Sequence, residues 1–178
     1  MRTEAIAIPA ATKGVVVFVG SRDTYLASLL NQHGIATLLL DPAHDDLDVI
    51  AGGLRGFPLG LFGTGTAGTA ALVLAAQRID LVSAVVCWGG RPDLAGAWLP
   101  SLRAPTLSIL GSRDTAGLRV HLEAGRVMVA PHKLLVIPGA SPQFEEPGAL
   151  EEVAAATTAW FAGHLICREG AAITTAIG

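Results

Sequence analysis

The chain has 178 residues, of which 51% are hydrophobic and 15% charged, and carries a formal net charge of −3. That length fits one domain with a proper buried core, and a composition this apolar excludes a disordered chain and suggests extra surface covered in a homodimer. Two lysines, Lys13 and Lys133, no basic run and a slightly acidic balance exclude a footprint for nucleic acid or another phosphate-rich partner.

No apolar run reaches the ~18 residues that would cross a bilayer, and the N-terminal residues lead into a strand-like run without the apolar core of a signal peptide. A cytoplasmic protein without a membrane partner is expected. Cys87 and Cys167 are expected as free thiols, as suits a reducing compartment.

In chain order, strands are expected at Ala5–Ile8 and Val15–Val19, a helix at Thr24–Gln32 and a strand at Ala36–Leu40. Gly34 follows Gln32-His33 where a helix C-cap is wanted. Gly52-Gly53 and Gly56 limit any helix around Asp46–Ala51 to about two turns. A strand at Leu59–Phe62, a helix at Thr66–Arg78, strands at Ser83–Cys87 and Thr106–Leu110, a helix at Leu118–Met128 and a strand at Lys133–Ile137 follow. Pro147 opens a last helix that runs to His164. Strands apolar at every position, such as Val15-Val-Val-Phe-Val19, are buried on both faces, which requires a parallel sheet covered by helices on both sides. One α/β domain over residues 1–164 and a tail over 165–178 without clear periodicity complete the organisation, with no second domain.

Ligands of open parallel sheets bind beyond the carboxyl ends of the strands. The loops Gly20–Asp23, Asp41–Asp46, Gly63–Gly68, Trp88–Trp98, Gly111–Thr115 and Pro138–Phe144 are therefore the functional edge. Among them, Leu59-Gly-Leu-Phe-Gly-Thr-Gly-Thr-Ala-Gly-Thr-Ala-Ala-Leu72 is the most informative. An apolar strand enters a glycine-rich turn and an Ala-rich helix leaves it, the form of a nucleophile elbow. The position that should carry the reacting side chain is Gly65. The same glycines satisfy the dinucleotide pattern G-x-G-x-x-G, but the next strand ends Cys87-Trp88 without the required acid, and that pattern belongs to a first strand.

Three further stretches follow the elbow in order: Ala84-Val-Val-Cys-Trp-Gly-Gly-Arg-Pro-Asp-Leu-Ala-Gly96, Ala104-Pro-Thr-Leu-Ser-Ile-Leu-Gly-Ser-Arg-Asp-Thr115 and Val136-Ile-Pro-Gly-Ala-Ser-Pro-Gln-Phe-Glu-Glu-Pro-Gly-Ala-Leu150. Together they resemble the α/β-hydrolase superfamily, specifically small bacterial dienelactone-hydrolase-like proteins, from Val15 to His164. The resemblance implies an α/β-hydrolase-like sandwich without a lid domain, and a Ser-Asp-His triad supplied in that chain order. Carried over by position, the Asp is Asp114, the Ser position holds Gly65 and the His position holds Pro142. The loop that helps hold the oxyanion is shortened to Val19-Gly20-Ser21-Arg22-Asp23, leaving the N–H of Thr66 with Gly20 and Ser21 as expected oxyanion donors. Losing nucleophile and base at matched positions points to a different inherited task.

Asp114 is the leading candidate for a catalytic group, against a plain role capping the next helix. His44, beside Asp41, Asp45 and Asp46, is a candidate base against an ordinary surface turn, and Cys87 a candidate nucleophile against a small buried apolar residue. The Thr66 hydroxyl sits one residue late for a nucleophile and reads as a helix-start Thr. Trp88, Trp98, Pro142 and Phe144 are expected as pocket walls, while His33, His121, His132 and His164 read as structural. No cofactor and no metal are called for. The expected activity is a non-hydrolytic enzyme of cyclase, lyase or isomerase type on a small, largely apolar carbonyl compound. The alternatives are an ester or lactone hydrolase with an unconventional catalytic group and a non-catalytic binding protein.

Overall fold

A computed structural model describes residues 4–54 and 56–166. Most of the expected tail, including Cys167, lies outside the described residues. The elements in order are β1 (Glu4–Ala7), β2 (Gly14–Val19), α1 (Thr24–Gln32), β3 (Ile35–Leu40), α2 (Leu47–Gly53), β4 (Leu59–Thr64) and α3 (Gly65–Gln77). They continue with β5 (Val82–Trp88), a 3-10 segment (Pro92–Ser101), β6 (Thr106–Gly111), α4 (Thr115–Val127), β7 (His132–Ile137) and α5 (Ala149–His164).

The strands form one sheet in the order β1-β3-β2-β4-β5-β6-β7. β1 is antiparallel to β3, and β2 to β7 are mutually parallel. Alternation along β2 divides the core: Val15, Val17 and Val19 face a layer with Leu47, Ile50, Leu72 and Ala124, from α2, α3 and α4. Val16 and Phe18 face a layer with Leu26, Leu30, Val153 and Phe161, from α1 and α5. This is the expected α/β-hydrolase-like sandwich, and no described helix is long and apolar enough to cross a membrane.

Three local expectations change. The 3-10 segment was not legible, because Pro92, Gly96 and Pro100 interrupt any period and Gly96 breaks the segment with φ 45°. α4 starts earlier than expected, since Asp114 Oδ1 accepts from the Gly117 N–H at 2.8 Å and caps a turn upstream of Leu118. Pro147 does not open α5; Gly148 intervenes as a left-handed N-cap, and the helix begins at Ala149.

The α5 layer lies tight on the sheet at Gly60, where an added Cβ would fall 2.6 Å from Phe161 Cε1 and 2.8 Å from Cδ1. Phe161 is wholly buried and has no room to retreat. Gly60→Ala is expected to cost about 1–3 kcal/mol by overpacking, read as a lower urea midpoint at unchanged slope. An unchanged midpoint would mean that the Phe161 ring moves freely.

On the other face, α4 brings His121 into the core at 1% exposure. Burial first, then the neighbouring His132, hold the His121 ring below the ordinary imidazole value of 6.5, and burial pushes His132 down as well. Both rings therefore take up a proton less readily in the fold than in the unfolded chain, which gains their protons below 6.5. Their stabilising contribution is complete above that value and is lost as pH falls through it toward the lower folded-state values. The denaturation midpoint is expected to drop between about pH 7.5 and about pH 5, and to drop less in His132→Gln. Equal losses in the two proteins would show that His132 does not contribute.

Candidate functional site

The site is built where β4 turns into α3. Thr64 is extended at φ −113° and ψ 143°, and the next residue, Gly65, swings to φ +54° to start the helix. A side chain at Gly63 would collide with the following turn, its Cβ 2.5 Å from the Ala67 carbonyl oxygen. Only glycine allows that closure. At Gly65, by contrast, an added Cβ meets nothing within 4 Å, so the apex faces open space. The loop after β5 presses on the turn from the side, Gly90 being so close that an added Cβ would lie 2.5 Å from the Gly65 carbonyl oxygen.

Above the apex lies a cleft of about 400 Å³ lined by Thr64, Gly65, Trp88, Gly89, Gly90, Asp114, Pro142, Gln143 and Phe144. The three positions matched by resemblance to a triad, Gly65, Asp114 and Pro142, thus meet around one space. Asp114 is half-buried at the end of the β6 loop and uses Oδ1 to cap α4. Pro142 is carried by the loop after β7, which is tied to the β6 loop at several points. Gly139 N–H donates to Ser112 Oγ at 2.8 Å, and Arg113 N–H donates to the Ala140 carbonyl at 3.0 Å. Glu146 accepts from Ser141 N–H at 2.8 Å and from Arg113 Nη1 at 3.0 Å. The Ser141 N–H, with lesser help from its hydroxyl and Arg113, holds the Glu146 carboxyl below its usual range.

The walls are aromatic. Trp88 donates its Nε1–H to Thr157 Oγ1 at 2.7 Å, away from solvent, so its indole offers the cleft apolar surface. It meets Phe62 and Phe144 edge-on, at centroid distances of 4.8 and 6.2 Å. Phe144 holds this position with φ 57°, a left-handed backbone that costs a bulky residue about 1–3 kcal/mol. Such strain is characteristic of ligand clamps and active sites.

Other expected residues stand apart from this cleft. His44 is 79% exposed, with Nδ1 paired to Asp41 Oδ2 at 2.8 Å, and that pairing follows a backbone hydrogen bond from Ala43 in holding the Asp41 carboxyl down. Cys87 is buried behind the elbow with its Sγ donating to the Gly68 carbonyl at 3.3 Å, and burial pushes its thiol up to about 12. A thiol so placed is a packing group and no source of thiolate. Gly20 lies against Ala67, where an added Cβ would be 3.3 Å from the Ala67 methyl, and Ser21 keeps its hydroxyl buried without a hydrogen-bond partner. Neither lines the cleft, and Thr66 is an exposed residue of the first α3 turn. Trp98 is 44% exposed and likewise outside the lining.

His121, expected as structural, is buried next to this site. Its ring faces the backbone of Gly89 and Gly90 and the Asp114 carboxylate, directly behind the cleft wall, yet neither ring nitrogen has a hydrogen-bond partner. Gly117, His121 and Ala124 on α4 form a helical stripe whose members are all buried.

No family model matches the chain. Two Mycobacterium tuberculosis proteins, from strains CDC 1551 and H37Rv and both named "Putative phosphoribosyl transferase", are 39% identical over 191 aligned residues covering 90% of the chain. The chain spans only 43% of their length. Among solved structures, a monoacylglycerol lipase from Paleococcus ferrophilus shares the fold at TM-score 0.72 and 17% identity, over 92% of this chain and 100% of the lipase. Est1E from Butyrivibrio proteoclasticus, solved with ferulic acid, shares it at 0.73 and 15%, over 91% and 94% of the two chains. The dienelactone hydrolase from Anabaena variabilis is similar at TM-score 0.78 and 33% identity, over 92% of this chain and 97% of that one. With that identity across nearly the whole of both molecules, the chain belongs to the dienelactone hydrolase family of the α/β-hydrolase fold.

Proposed function

We propose that this protein has given up acyl-enzyme chemistry and acts on a small, largely apolar carbonyl compound by proton transfer, as an enzyme of isomerase, lyase or cyclase type. The observation that carries the proposal is the side-chain-free apex at Gly65 sharing one cleft with the Asp114 carboxylate and with Pro142. Glycine offers no nucleophile and proline no base, so the nucleophile and base of the family's triad are taken to be lost from this chain. Asp114 remains within the cleft as a carboxylate able to take a proton from carbon adjacent to a carbonyl. The electron pair of the broken C–H bond passes to the carbonyl oxygen, which the N–H groups where α3 starts at Gly65 stabilise. The proton then returns at another carbon. Trp88, Pro142 and Phe144 hold the apolar body of the compound and exclude water.

A hydrolase with a substitute nucleophile is disfavoured by the places of Cys87 and His44, one sealed behind the elbow and the other out on the surface. The transferase name of the mycobacterial relatives belongs to proteins more than twice the length of the matched region, and the cleft lining carries a carboxylate and no cation, a poor match for phosphate. A cytoplasmic setting and a homodimer are part of the proposal on composition alone, 51% hydrophobic against 15% charged.

The test is deuterium exchange into the carbon next to the carbonyl of small apolar ketones and lactones in D₂O, followed by proton NMR. Exchange is expected with the native chain and to fall about a hundredfold or more in Asp114→Asn. That variant keeps the cap of α4, since Asn serves as well as Asp at an N-cap, so a loss reports chemistry and not unfolding. Binding without exchange would make the protein a non-catalytic carrier, and ester turnover by the native chain would overturn the proposal.

A further inference from the structure

Two polar side chains in the lining of the cleft above Gly65, Thr64 and Gln143, have no part in the proton transfer proposed for Asp114. Thr64 is the N-cap residue of α3, a place where a hydroxyl ordinarily accepts from an N–H of the first helical turn. Asp23, Asp46 and Asp114 do this for α1, α2 and α4. The Thr64 side chain makes no such bond, although Thr is a good capping residue. Gln143 is exposed on the loop after β7, and among the described residues its amide has no hydrogen-bond partner. Beside Thr64 the cleft has room, since an added Cβ at Gly65 or at Gly89 would meet nothing within 4 Å. A few uncommitted polar groups in an otherwise apolar cleft fix the orientation of its ligand and its specificity.

With Asp114 as the base on carbon, chemistry limits which compounds can change here. The enolate of a simple ketone, given its proton back on the same carbon, regenerates the starting compound. Net isomerisation needs a second functional group beside the carbonyl. Thr64 and Gln143 each both donate and accept, which matches a hydroxyl. A carboxylate would meet Asp114 in a lining without a cation. We propose, resting on the reading of Asp114 given above, that the substrates are vicinal hydroxyketones whose oxygens are held by Thr64 and Gln143, and that their positional isomers are interconverted. Asp114 takes the proton from the carbinol carbon. The C–H electron pair becomes the carbon–carbon double bond, and the carbonyl pair moves to oxygen, which gains a proton to give the enediol. The other hydroxyl then loses its proton as its carbon becomes the carbonyl, and Asp114 returns its proton to the former carbonyl carbon. One hydrogen has moved between carbons and one between oxygens, so no oxidant, reductant or added group is required. The Thr64 hydroxyl, beside the apex, gives a proton to one oxygen and accepts the proton of its neighbour. The Gln143 amide holds the hydroxyl and thereby sets which carbon is turned toward Asp114.

Racemic phenylacetylcarbinol is the probe, and phenylacetone, the same skeleton without the hydroxyl, is its control. Binding to the full chain is measured by titration calorimetry, and conversion of the probe to its isomer hydroxypropiophenone by proton NMR. The native chain is expected to bind the probe at least about tenfold more tightly than the control. That preference is expected to shrink about threefold or more in Gln143→Ala and in Thr64→Val, neither of which removes a side-chain hydrogen bond of the folded chain. Conversion is expected in the native chain, to fall at least about tenfold in Thr64→Val and to be largely kept in Thr64→Ser, which retains the hydroxyl. Equal binding of probe and control overturns the inference, as does a preference that both substitutions leave intact. Deuterium exchange into phenylacetone without conversion of the probe overturns it too, and leaves the role of Asp114 standing. A preference that depends on Thr64 and Gln143, with neither exchange nor conversion, supports the hydroxyl site and contradicts the role of Asp114.

Discussion

The turn between β4 and α3 is the constraint on which the site depends. A strand buried on both faces must become a helix within one residue, and the only way to reverse the chain so sharply is a left-handed backbone at position 65 with no side chain at position 63. The close approach of Gly63 to Ala67 sets the angle at which α3 leaves the sheet, and Gly90 then locks the neighbouring β5 loop onto the turn. The start of α3 is thereby aimed at the cleft whatever residue stands at the apex. At position 65 the turn exposes backbone to open space.

The rest of the cleft is held by polar ties between loops and not by the turn itself. Arg113, Ser112 and Glu146 bind the loop after β7 to the loop after β6, fixing Pro142 and Phe144 opposite Asp114. Trp88 is in turn held by Thr157 of α5. Three of the elements that border the cleft are therefore fixed by hydrogen bonds from residues outside its lining, and Phe144 with its strained backbone lies in one of these tied loops. Pre-set apolar walls and one carboxylate favour binding and orientation, the contributions that need no covalent intermediate.

The sheet was legible because its strands are short runs of Val, Ile and Leu divided by glycine and proline, and continuous apolarity identifies a parallel sheet. Gly65, Asp114 and Pro142 could be placed together from motif order alone, since each follows a strand whose carboxyl end lies on the same edge. His44 and Cys87 were harder to judge. Lying on the functional edge does not say whether a side chain turns toward the cleft, toward the core or toward solvent, and these two turn away. His121 reads from the sequence as structural, and its burial is set by the stripe it shares with Gly117 and Ala124. The backbone of Phe144 could not be read from the sequence, because a left-handed conformation is one that bulky residues rarely adopt.

The central claim is that the apex geometry survives without its nucleophile. The most direct measurement is intact-mass detection of labelling by a serine-reactive fluorophosphonate, on the native chain and on the Gly65→Ser, Pro142→His double variant, with peptide mapping of any adduct. The native chain is expected to remain unlabelled and the folded double variant to be labelled at position 65. Labelling of a native side chain in the cleft, or a folded double variant that stays inert, would contradict it.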